Sequence, residues 1–196
     1  TYISLSGLNI NETNIFAFTN GNIEKRIKEN PYVEEVRIER KLPNEVELYI
    51  TERTADYQIN YLNSYVYLNN QGYVLEINEE EKDMLIIDGL TSLSDNIEAG
   101  QRLANEDLRK LDTILKITNY LKYNSVGSKL TKIDATDEEN YILDFITEKD
   151  NQKYKVFSVY KIENEDYYIK TEIQDNEFEE FIKKIKNRSI KNFNTD

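Results

Sequence analysis

Hydrophobic and polar positions alternate most regularly between Tyr32 and Arg53. Val36 and Ile38 alternate with Arg37 and Glu39, and Val46, Leu48 and Ile50 alternate with Glu45, Glu47 and Tyr49. A period of two marks a pair of half-buried strands. Between them Pro43 presets a turn backbone and Asn44 tolerates the left-handed region, so the connection is short. Facing residues of an antiparallel pair point to the same side of the sheet. The apolar side chains therefore share a face only if opposed residue numbers have an even sum, which requires an odd loop. A loop of three places Arg37 opposite Glu47; a loop of five places Ile38 opposite Leu48 and gives Asn44 a left-handed slot. Both remain open at this stage. A loop of four would turn one apolar face to water and is excluded.

Elsewhere the period changes. Ile23 and Ile27, four apart, predict a helix capped by Asn20 or Asn22 and ended before Pro31, next to a local apolar cluster of Ile15, Phe16 and Phe18. The opening, residues 1–8, reads two ways: Ile3 and Leu5 alternate as in a strand, while Gly7 suits a helix C-cap. Residues 55–60, 64–69 and 73–77 predict three strands, with Asn70, Gln71 and Gly72 turning between the last two. Gly89 ends the apolar run 84–87, and 93–100 reads as a loop. Leu108, Leu111, Leu115, Thr118 and Leu121 fall at helical spacing and predict a helix over 105–123 with Asn105 as its cap. Residues 129–133 and 141–146 read as strands around a turn-rich 134–140, and 154–160 with 167–173 as a hairpin across 163–166. Phe178, Phe181, Ile182 and Ile185 mark a last amphipathic helix. The chain carries no internal repeat.

Composition narrows the function classes. A formal charge of −12 over 196 residues argues against binding nucleic acid or anionic membrane through general electrostatics, since both need a basic face. The late basic cluster of Lys183, Lys184, Lys186, Arg188 and Lys191 fits the C-terminal end of a helix. Absence of Cys and His removes disulfides, cysteine nucleophiles and nearly all zinc chemistry. No apolar run approaches the roughly 18 residues of a membrane span. Carboxylates are plentiful, so a two-carboxylate glycosidase has to be considered. Glu34 with Glu35, the run Glu79 to Glu81, and Asp137 to Glu139 sit among polar residues and read as solvated surface. Asp134, Asp137 and Glu139 could face a calcium ion, but the EF-hand glycine and terminal glutamate are absent. No catalytic residue, metal ligand or cofactor is expected.

Several short motifs coincide with these elements. They are Pro31-Tyr32-Val33, then Arg40-x-Leu42-Pro43-Asn44-x-Val46, then Glu52-Arg53, preceded by Ser6-Gly7-Leu8 and Asn14-Ile15-Phe16. Together they resemble the POTRA domain of the bacterial cell-division family FtsQ/DivIB. Gly89-Leu90, Gly100 to Leu103, Leu130 to Asp134 and Asn140 to Leu143 extend the resemblance to about residue 146. Beyond that the chain departs from the family's pattern, with a Tyr-rich hairpin where a Lys- and Leu-rich helix is the rule.

The resemblance implies an α+β chain: a POTRA-type unit (β-α-α-β-β) over 1–52, a second α+β domain with a mostly antiparallel sheet over 53–187, and a disordered tail over 188–196. It favours the helix-end reading of residues 1–8, which leaves the first POTRA strand expected upstream of Thr1. Pro31, Arg40, Leu42, Pro43, Asn44, Glu52 and Arg53 are expected to serve the fold. It also implies a non-enzymatic scaffold outside the cytoplasm at the division septum. Such a scaffold is held to the membrane by an upstream anchor helix and binds FtsL and DivIC (FtsB in Gram-negatives) to help control septal wall synthesis. Tyr168, Lys170 and Glu172, alternating on one face of the second hairpin strand, are the candidate partner-binding residues. A POTRA-bearing chaperone of protein export is the alternative, which an upstream tandem repeat would favour; an acidic wall hydrolase is a third.

Overall fold

A computed structural model describes residues 2–9, 12–92, 97–123, 128–147, 153–162 and 166–169. The chain opens with a short helix α1 (Tyr2–Ser6), closed by Gly7 at φ +69°, so the helix-end reading holds. Helix α2 (Asn20–Lys28) follows, buried through Ile23 and Ile27. Its cap position is Thr19, not Asn20 or Asn22, and no side chain caps it. Asn20 instead spends its amide on the carbonyl of Ile38, 3.2 Å away.

Strands β1 (Val33–Lys41) and β2 (Glu45–Glu52) form a two-stranded antiparallel sheet. Ile38 faces Leu48 and Val36 faces Ile50, the even-sum register that buries one face. Pairing continues to Lys41 opposite Glu45, which leaves a turn of only Leu42, Pro43 and Asn44. The Leu42–Pro43 peptide is cis, and Asn44 is not left-handed; among the described residues the non-glycine residue with positive φ is Leu62. The register is therefore that of the longer loop, reached with the shorter turn. Ile23, Ile27 and Val33 pack with Tyr2, Leu8, Phe18, Val36, Ile38, Leu48 and Ile50 into one apolar cluster.

The second sheet has eight strands in the order β10-β9-β8-β7-β6-β3-β4-β5. These are β3 (Tyr57–Tyr61), β4 (Ser64–Leu68), β5 (Val74–Asn78), β6 (Leu85–Asp88), β7 (Ser128–Asp137), β8 (Asn140–Thr147), β9 (Lys153–Ile162) and β10 (Asp166–Ile169). Most neighbours are antiparallel, but β6 runs parallel to both β3 and β7 at the centre. A parallel return needs a crossover, and helix α3 (Asn105–Tyr123) lies in the one between β6 and β7. The run 84–87 is thus a central strand. The turn expected over 134–140 shrinks to Glu138 and Glu139, because β7 reaches Asp137.

Helix α3 has the expected span with a shifted face. Leu111 and Thr118 are buried, but Ile114 and Ile117 lie deeper than Leu115, which is half-buried. Ala104, rather than Asn105, supplies the first helical carbonyl, accepting from Leu108 N–H at 3.0 Å. The buried face meets Tyr57, Ile59, Val66, Ile87, Ile133 and Leu143 in a second apolar cluster. The two clusters share no residue. At the end of β6, Gly89 has φ +83°, and a Cβ there would lie 2.2 Å from the Thr136 nitrogen, so only glycine lets the chain leave the strand against β7.

The last helix expected around Phe178 to Ile185, the tail 188–196 and part of the loop 93–100 lie outside the described residues.

Candidate interaction surfaces

Four motif residues of the first hairpin, Pro31, Arg40, Glu52 and Arg53, tie parts of the chain that are distant in sequence. Arg40 lies on the same strand face as Val36 and Ile38, where its stem prolongs the apolar stripe. Its guanidinium stacks 4.4 Å above the Phe18 ring and donates to the Phe18 carbonyl at 2.6 Å. Glu52 accepts a hydrogen bond from the Tyr2 hydroxyl. Pro31 offers its carbonyl to Arg53 at 3.0 Å, and Arg53 also donates to the Val33 carbonyl. Leu42, by contrast, is 68 % exposed at the turn. Pro43 and Asn44 help to line an open groove of about 960 Å³ beside β2, together with Tyr2, Ile3, Phe16 and Leu48. Among the described residues β2 pairs only with β1, so the groove flanks a free strand edge.

The solvent face of the hairpin is charged. Arg37 lies 4.1 Å over the Tyr49 ring opposite it, and Lys41 pairs with Glu47. Such exposed pairs contribute little stability.

The acidic clusters resolve into structural roles. Asp137 accepts from the Glu139 N–H at 2.9 Å and the Asn140 amide at 2.8 Å, holding its own turn; Asp134 accepts from the Thr136 N–H at 2.9 Å. Glu34 accepts from Gln71 Nε2 at 2.6 Å. Among the described residues no three acidic groups converge as metal ligands would.

One buried carboxylate escapes the sequence pattern. Asp107, in the first turn of α3, is fully buried and accepts from Thr91 N–H at 2.9 Å, Thr91 Oγ1 at 3.2 Å, Ser92 N–H at 2.6 Å and the Ser92 hydroxyl. Burial by itself pushes this carboxyl up, but the Ser92 and Thr91 donors outweigh burial and leave it below the usual carboxylate range. Lys110, one turn on, is also buried and donates to the Gly89 carbonyl at 2.7 Å. These two side chains pin the segment after β6 onto the helix. Thr91-Ser92 followed by an acidic first turn was the only signal available, and it is a common one.

Among the described residues, the far edge of the large sheet carries one of the three candidate partner residues, Tyr168. Strand β10 pairs antiparallel with β9, with Tyr168 opposite Tyr160, and is terminal in the sheet among the described residues. Lys170 and Glu172 lie outside the described residues.

A family model for the POTRA domain, FtsQ-type, matches residues 3–53, which take in α1, α2, β1 and β2. Among curated proteins, the Cell division protein DivIB of Clostridium tetani is 37% identical over 89 residues, which are 44% of this chain and 34% of that protein. The DivIB of Clostridium botulinum is 31% identical over 121 residues, 62% of this chain and 47% of that protein. The DivIB of Clostridium acetobutylicum is 32% identical over 126 residues, 63% of this chain and 49% of that protein.

The chain carries a POTRA domain of FtsQ type and is similar to proteins named Cell division protein DivIB. Its architecture is α+β, a POTRA unit followed by a larger, mostly antiparallel sheet. It spans about a third to a half of the length of the curated relatives it matches. Among the described residues no helix is long and apolar enough to cross a membrane.

Proposed function

We propose that this chain is the extracytoplasmic part of a non-enzymatic division scaffold. An upstream helix anchors it to the membrane at the septum, and it binds FtsL and a DivIC/FtsB-type protein, helping to control septal peptidoglycan synthesis. One observation carries this reading. Similarity to proteins named DivIB runs over as many as 126 residues, which cannot fit within the POTRA unit at 3–53 and so extends into the large sheet.

The sheet edge at β10 supports a mode of binding. A terminal strand presents unpaired backbone donors and acceptors on which a partner segment adds a strand. Tyr168 lies on β10, and Lys170 and Glu172 follow it in sequence at the spacing of one strand face. In this reading the backbone supplies affinity and these side chains select the partner, with Tyr168 as the aromatic anchor. Isothermal titration of purified DivIC ectodomain into the chain tests it. A Tyr168→Ala, Lys170→Glu variant with a native circular dichroism spectrum should bind roughly tenfold more weakly or worse. Unchanged affinity would remove the partner from this edge.

A further inference from the structure

Among the described residues, polar side chains reach from the first apolar cluster's module to the second's, and one group of them surrounds the Tyr73 ring. The Arg53 guanidinium sits 4.2 Å from the centroid of Tyr73, and Arg102 approaches the same ring at 5.4 Å. Arg53 is the last residue of the strand-turn-strand motif; Tyr73 and Arg102 lie beside the large sheet, where they form an isolated antiparallel bridge just before β5. The guanidinium is held in place from behind by the carbonyls of Pro31 and Val33, and the Arg53 backbone N–H donates to the Tyr32 carbonyl at 2.6 Å. Its Nε is buried without a hydrogen-bond partner. The group is therefore placed by two carbonyls and a ring at the expense of one donor.

Two further contacts cross the same junction. The Tyr32 hydroxyl donates to Glu76 at 2.6 Å, and Glu76 also accepts from Asn78 at 2.7 Å and Lys82 at 3.3 Å. Gln71 Nε2 donates to Glu34, while the Gln71 carbonyl accepts from Arg102 Nε at 3.1 Å. Arg102 thus braces the turn that presents both Gln71 and Tyr73.

We propose that Tyr73, in contact with Arg53 and approached by Arg102, is a latch that holds the POTRA unit and the eight-stranded sheet at one mutual orientation. The default between modules joined by a small polar surface is relative motion, and the latch removes it. At position 53 one guanidinium nitrogen, Nη1, donates to both carbonyls while the planar group lies over the Tyr73 ring, whereas a lysine offers a point charge without a stacking plane. The Glu52-Arg53 pair then has a divided task. Glu52 closes the POTRA unit on Tyr2, and Arg53 reaches out of it.

The chain has no cysteine, so paired spin labels can be placed at will. Labels at Lys25→Cys on α2 and Asn119→Cys on α3 report the separation of the two modules, and pulsed dipolar spectroscopy reads its distribution. The native junction should give one narrow distance. Tyr73→Leu, which keeps apolar bulk and loses the ring, should broaden the distribution by roughly twofold or more. Arg53→Lys should broaden it as well, and Tyr73→Phe should leave it narrow. Amide exchange of α3 and β7 at the native level confirms that each variant is folded. A broad distribution in the native chain overturns the proposal, as does one that Tyr73→Leu and Arg53→Lys leave unchanged or that Tyr73→Phe broadens.

Discussion

At the scale of single residues, the positions that matter most for order are the buried polar ones. Asp107 satisfies four donors from Thr91 and Ser92, and its carboxyl sits below the ordinary range once those donors outweigh burial. Because the folded carboxyl is depressed, its contribution is fully present above the unfolded value, near 3.9, and is lost as pH falls through the folded value. An Asp107→Asn variant should lose about 1–3 kcal/mol near neutral pH, since an amide nitrogen would face donors in a buried site. Its stability should also fall less steeply than the native chain's as pH drops from about 5 toward 2. Urea denaturation across that range checks both. A native slope retained by the variant would assign the acid sensitivity to other carboxylates. Nothing in the spacing of Asp107 distinguishes it from the exposed Glu106 beside it; only the tertiary approach of Thr91 and Ser92 does.

At the scale of elements, legibility followed how local the cause was. Helix α3 was readable to its ends because a period near 3.6 is written in its own residues. Its face was misjudged by part of a turn, since Ile114 and Ile117 compete with Leu115 and the sheet decides between them. Strand β6 was invisible as a strand. Four consecutive apolar residues carry no period, and its parallel partners lie far along the chain at β3 and β7. The first hairpin was readable in phase, because burial of one face forces an even-sum register. Its turn was not, because the conformations of Leu42, Pro43 and Asn44 do not alter which residues alternate. That difference changes an expected outcome. Asn44 is exposed and not left-handed, so Asn44→Val should shift stability by no more than about 0.5 kcal/mol, the ordinary range for a surface change. A loss above about 1 kcal/mol in chemical denaturation would mean that this position needs positive φ after all.

At the scale of the whole molecule, orientation and stability are carried by different contacts. Polar groups around Tyr73 set how the two modules meet, while each module is stabilised by its own apolar cluster. The motif from Pro31 to Arg53 marked the first cluster in the sequence, because both strands and the turn are contiguous there. The junction was not legible, since Tyr73 and Arg102 are separated from Arg53 by intervening strands and turns. Separate cores make the division of the chain near Glu52 and Arg53 testable. Ile27 is fully buried in the first cluster and touches none of the second. Ile27→Ala should cost about 2–5 kcal/mol, the range for truncating a buried aliphatic side chain. Hydrogen exchange followed by mass spectrometry should show faster exchange across α2, β1 and β2, with α3 and β3 to β8 as protected as in the native chain. Equal acceleration in both regions would mean one cooperative unit, with the polar junction transmitting unfolding as well as orientation. Confined acceleration would place the boundary at the Glu52-Arg53 pair, where one side chain closes the first module and the next is already bound to the second.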